Sequence, residues 1–165
     1  MKTFIIAVLT ADGLIAETQD QSSVTWRSKE DRKFFIEKTR EARVVIMGAN
    51  TFHTMRRPMP DRLHIVYSCE PIDLPEVEVT TKEPEEVLRE LEVRGYTQVA
   101  ICGGTTIFTM FMDAGLVDKL YLTIEPVLFG SGMTLFKKKF EKRLELISMQ
   151  KLGAQSILLE YNVLK

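Results

Sequence analysis

The chain has 165 residues, 45% of them apolar, and 22 basic side chains stand against 23 acidic ones for a formal net charge of -1. That length suits one domain, residues 1–165, with room for a real core and little for a second. The balanced charge offers no general attraction for nucleic acid or an anionic membrane surface, so any anion must meet a local basic cluster. Cys69 and Cys102, like His53 and His64, lack the spacing of a redox pair or zinc site, so no metal is implied.

In chain order, the first apolar run covers about 3 to 9 and ends at Asp12-Gly13, without a signal-type cleavage site. It reads as a buried strand of a cytoplasmic protein, and no apolar stretch approaches the roughly 20 residues of a membrane span. Residues 16 to 27 are polar and aperiodic, and a loop this long in a small domain is more often a binding loop than filler. Ser28 then caps a helix whose inner face carries Phe34 and Phe35. Strand patterns follow at about 43 to 48 and 62 to 68, with a short helix opened by Asn50 or Thr51 between them. A third helix starts at Pro84 among Glu83, Glu85 and Glu86 and stops before Gly95. A strand at 98 to 102 runs into Gly103-Gly104, where the fourth helix begins, and another strand spans 117 to 124. Leu144 to Met149 and Ile157 to Val163 form a terminal antiparallel hairpin. Alternating strands and helices predict an α/β fold with a central, mostly parallel sheet flanked by about four helices.

Four places carry chemistry. Asp31 lies three residues after Ser28, where an acid often only caps a helix, but Phe34 and Phe35 put it on the inward face, and Trp26 lies just upstream. Thr123 belongs to the strand Leu-Tyr-Leu-Thr-Ile, where a threonine is unremarkable unless it faces a pocket. Arg62 follows Arg-Pro-Met-Pro-Asp, a rigid turn suited to presenting a guanidinium to a carboxylate. Gly103-Gly104-Thr105-Thr106-Ile107 and Gly48-Ala49-Asn50-Thr51 each put glycine at a strand-to-helix junction, where free amides favour phosphate.

Together, Trp26, Asp31, Phe35, the Met47-to-Ser68 segment, Gly103-Gly104 and Thr123 resemble the dihydrofolate reductase family. The resemblance implies NADPH-dependent reduction of dihydrofolate. Asp31 would bond the pterin's 2-amino and N3 edge, Thr123 would hydrogen-bond Asp31, and Trp26 would line the pocket under a mobile loop. Val8, Phe35, Met55 and Met59 would pack against substrate, and Arg62 would hold its glutamate carboxylate. Ala7, Ile15, Gly48, Asn50, Thr51, Cys102, Gly103, Gly104, Thr105, Thr106 and Ile107 would contact the cofactor, with Ser68 and Lys82 at its 2'-phosphate. Ala49 departs from the arginine frequent after Met-Gly, and Arg32 stands at an often apolar place. The segment from Gly103 through Glu125-Pro-Val-Leu-Phe-Gly-Ser-Gly-Met-Thr-Leu-Phe136 is more similar to the reductase domain of the bifunctional riboflavin-biosynthesis deaminase/reductase. That resemblance implies a ribosylaminopyrimidine phosphate as substrate instead, and between them the two resemblances imply a small-molecule partner and a monomer or homodimer. A nucleotide- or pterin-binding module without turnover is the third reading.

Overall fold

The computed structural model describes residues 1–55 and 57–165. Among them the order is β1 (Lys2–Thr10), β2 (Leu14–Ala16), α1 (Lys29–Ala42), β3 (Val44–Gly48), α2 (Ala49–His53), β4 (Leu63–Tyr67), β5 (Val77–Thr80), α3 (Pro84–Val93), β6 (Gln98–Gly103), α4 (Thr105–Asp113), β7 (Lys119–Glu125), β8 (Met133–Thr134), β9 (Leu144–Leu152) and β10 (Ser156–Val163), with a 3-10 turn at Ser23–Thr25. Eight strands form one sheet in the order β5-β4-β3-β6-β1-β7-β10-β9. It is parallel from β5 through β7, and β10 and β9 add an antiparallel hairpin at one edge. The expected α/β class and mostly parallel sheet are therefore what the chain forms.

The central strands read as nearly continuous apolar runs because helices cover both faces. Ile5, Val44, Ile46, Val99 and Ile101 are fully buried on the face shared with α3 and α4, alongside Val87, Leu91, Phe108 and Phe111. Phe4, Ile6, Val45, Met47 and Ala100 point the other way, toward Phe34 and Phe35 of α1 and Phe52 of α2. Each such side chain contributes roughly 1.5–3 kcal/mol on leaving water.

Helix ends follow local chemistry. The Ser28 hydroxyl accepts from the Asp31 amide at 3.1 Å, fixing the first turn of α1. Pro84 opens α3, and its buried Pro84, Val87, Leu88 and Leu91 form the inner face. The second helix begins earlier than the sequence pattern suggested: Gly48 is its N-cap, in extended conformation, and Asn50 lies exposed inside the first turn. No helix among the described residues is long and apolar enough to cross a membrane.

Candidate active site

From β1 the chain crosses to β3, continues outward to β4 and β5, then returns to place β6 between β3 and β1. That reversal opens a crevice at the carboxyl ends of β1, β3 and β6, the usual ligand position in such sheets. Two helices start there, α2 after Gly48 and α4 after Gly104, and neither N-terminus is capped by a side chain. Gly103 has φ +122°, which L side chains rarely adopt, and the Gly103-Gly104 peptide is cis. A Cβ at Gly104 would stand 3.2 Å from Thr51 Oγ1, and one at Gly48 would stand 3.3 Å from Ile107 Cγ1. The glycines thus leave open a cradle in which amides from both helices can meet an anion. Thr105 lies inside it, its hydroxyl donating to the Thr134 carbonyl at 2.9 Å, while Thr106 is exposed and accepts from Lys137 Nζ at 2.7 Å.

The sheet separates the remaining candidates. Ala7, Ile15 and Ile107 belong to the cluster on the α3 and α4 side. Phe35, Met55, Met59 and Cys102 pack together on the α1 side. Val8 pairs in register with Thr123, and both are buried. Burial pushes the Cys102 thiol up to about 12, despite the nearby Arg62 and Arg27 guanidiniums, so it stays protonated and is no nucleophile at neutral pH.

Asp31 is 3% exposed and faces this second cluster. Its carboxylate is already engaged: Arg27 Nε and Nη2 both approach Oδ2 at 2.6 Å, and the Arg27 guanidinium lies 4.9 Å above the Phe35 ring. The expected Thr123–Asp31 hydrogen bond is not formed; the carboxylate instead takes both Arg27 donors on Oδ2. Arg27 was invisible in the sequence, where an arginine in a polar loop reads as solvated. Arg32, by contrast, is exposed and leaves the site alone.

Arg62 is buried, with Nη1 donating to the Pro60 carbonyl at 2.8 Å and Nη2 to the Ile36 carbonyl at 2.6 Å, while Nε is buried without a partner. His64 shapes the turn that presents it. Its Nε2 accepts from the Met59 amide at 3.1 Å and its Nδ1 faces the Arg62 carbonyl at 3.0 Å, which fixes the proton on Nδ1. Burial lowers the His64 pKa, favouring that neutral ring. A cavity of about 400 Å³ lined by Arg43, Asp61, Arg62, Leu63, Glu76 and Tyr96 lies at the opposite, amino-terminal end of β3 and β4. Its size does not make it the reaction site, since Asp31 and the glycine cradle lie elsewhere.

The 16 to 27 loop is anchored at both ends. At its base β2 pairs with β8, and a Cβ on Gly132 would collide with the Ala16 carbonyl. Asp12 accepts from the Phe129 amide at 3.3 Å and the Gly130 amide at 2.6 Å, contacts that together with the Thr10 hydroxyl hold its pKa down. Trp26 packs edge-on against Phe129 at 5.3 Å, with its indole N–H buried and unpartnered. At the far end the buried Glu125 accepts from the Ser28 amide at 2.8 Å, the Ser28 hydroxyl at 2.7 Å and the Ser156 hydroxyl at 2.5 Å. The Gly-Ser-Gly segment therefore fastens the loop base, a role that no local sequence pattern signalled.

Residues 2–156 match the family model for dihydrofolate reductase. The chain belongs to the dihydrofolate reductase family. Dihydrofolate reductase type 9 of Escherichia coli is 31% identical over 128 residues, which span 72% of this chain and 67% of that protein. A putative riboflavin biosynthesis protein from Shewanella superposes end to end at a TM-score of 0.84 with 17% identity, a likeness of fold. The Thermotoga maritima diaminohydroxyphosphoribosylaminopyrimidine deaminase/5-amino-6-(5-phosphoribosylamino)uracil reductase gives 0.78 and 18%, covering 98% of this chain and 56% of that one. For a dihydrofolate reductase fold, the glycine cradle fits a dinucleotide's diphosphate. The 2'-phosphate candidates are otherwise engaged: Lys82 pairs with Glu90 and, at 3.4 Å, with Glu86, and the Ser68 hydroxyl closes its own turn on Glu70.

Proposed function

We propose that this chain is an NADPH-dependent reductase of a small nitrogen heterocycle. The observation that carries this reading is a buried carboxylate, Asp31, in a chain whose strand-to-helix junctions at Gly48 and Gly104 leave a glycine cradle open, the first suited to a substrate ring and the second to a dinucleotide diphosphate. When bound, NADPH supplies the hydride. The amides after Gly48 and Gly104 would hold its diphosphate, and Ser68 with Lys82, once Lys82 leaves Glu90, would hold the 2'-phosphate. Phe35, Met55 and Met59 would exclude water from the ring, and Asp31 would supply the fixed charge beside it.

Two substrates are supported by separate observations. Dihydrofolate, reduced at C6 with a proton to N5, is favoured by the family match and by the burial of both Asp31 and Arg62. A ribosylaminopyrimidine phosphate is favoured by the Arg27–Asp31 pair, which occupies the acid a pterin would use. Loss of NADPH absorbance with each substrate tests the proposal. Turnover of either one is expected, and Asp31→Asn should lower kcat/KM by about 100-fold or more. No oxidation of NADPH with either substrate, despite saturable NADPH binding, would leave a binding module without turnover.

A further inference from the structure

Arg27 enters the reading above only as the partner of Asp31, yet its side chain is 10% exposed and reaches over the Phe35 ring. A guanidinium and the 2-amino–N3 edge of a pterin offer a carboxylate the same thing, two neighbouring N–H donors in one plane. Arg27 already makes that offer to Asp31 and lies over Phe35 as a flat ring would stack. We propose that Arg27 selects the substrate by its ring edge: it stands in for a pterin at Asp31 and binds the carbonyl edge of a dioxopyrimidine ring. This rests on the reductase reading and narrows it to the pyrimidine class.

One further observation favours an acceptor edge: Arg27 Nε and Nη2 both meet Asp31 Oδ2, while Nη1 makes no hydrogen bond among the described residues. A ring bearing carbonyl oxygens gives that donor a partner. A ring bearing donors must first evict a nine-tenths buried guanidinium from its carboxylate.

Tail-free rings isolate this contact from anything Arg62 does. Titrate 5,6-diaminouracil and 2,4-diaminopteridine separately into wild type, Arg27→Gln and Arg27→Lys, and follow the fluorescence of Trp26, the one tryptophan of the chain. Arg27→Gln should weaken diaminouracil and tighten diaminopteridine by about tenfold or more each, a change of about 1.4 kcal/mol apiece. Arg27→Lys should recover part of the diaminouracil affinity, because the charge returns without the planar fork. Any other pattern in Arg27→Gln overturns the proposal, including parallel loss of both probes or a change in only one. If Arg27→Gln fails to melt cooperatively, wild type decides: diaminouracil must bind at least as tightly as diaminopteridine. A separate NADPH titration keeps the two readings apart, since lost NADPH binding with the stated probe pattern would defeat the reductase reading and leave edge selection standing.

Discussion

Arg62 illustrates how one side chain can serve both fold and ligand. Its position after a proline-clamped turn was legible, because rigid turns and arginine are a recognisable pairing. Its two backbone partners were not, since the Ile36 carbonyl belongs to a helix 26 residues away. Burial lowers the Arg62 pKa, with the nearby Arg40 adding to it, but it remains a cation at any physiological pH. Arg62→Leu should therefore do two things at once: destabilise the protein by about 1–3 kcal/mol through carbonyls that lose their donor, and raise KM for a substrate with an anionic tail. Urea unfolding and steady-state kinetics separate the two. A raised KM with unchanged stability would reduce Arg62 to a ligand residue. The burial of Asp31 was readable from its spacing against Phe34 and Phe35, whereas the Arg27 pairing was hidden, since charge in a loop carries no periodic signal.

At the scale of elements, His64 is the case where strand and turn depend on each other. It sits in β4 with both ring nitrogens turned onto the 57 to 62 turn, so the strand holds the loop that delivers Met59 and Arg62. The ring is neutral in the folded state because burial depresses its pKa below the ordinary histidine value of about 6.5. The unfolded chain takes up a proton near that value and the folded chain resists it, so the stabilisation is present above about pH 6.5 and is lost as pH falls toward the folded value. The melting temperature should fall between about pH 7 and pH 5.5, before most carboxylates titrate. His64→Gln should melt lower at pH 7 yet lose that step. An identical step in the variant would assign it to other groups. The long strands and the helices α1, α3 and α4 were legible from period and end signals. β2 and β8 were not, having three and two residues, too few to show alternation.

Across the whole molecule, the terminal hairpin reaches back to the crevice through one buried carboxylate. Sequence pattern located the hairpin and the α/β order, but Glu125, Ser28 and Ser156 lie far apart along the chain, and only the fold brings them together. Glu125 is 3% exposed and is balanced by hydroxyl and amide donors, so each donor matters. Ser28 in turn caps α1 through the Asp31 amide, which links β7 and β10 to the position of Asp31. Ser156→Ala removes the donor at 2.5 Å and leaves a buried carboxylate oxygen short of partners. It should cost about 1–3 kcal/mol in urea unfolding. If the network also positions Asp31, single-turnover hydride transfer should slow severalfold with NADPH affinity unchanged. Ser148→Ala, on the neighbouring β9, removes only a 3.4 Å contact to Glu160 and should leave hydride transfer at the wild-type rate. Stability lost in Ser156→Ala with no change in hydride transfer would confine the network to holding the hairpin against α1.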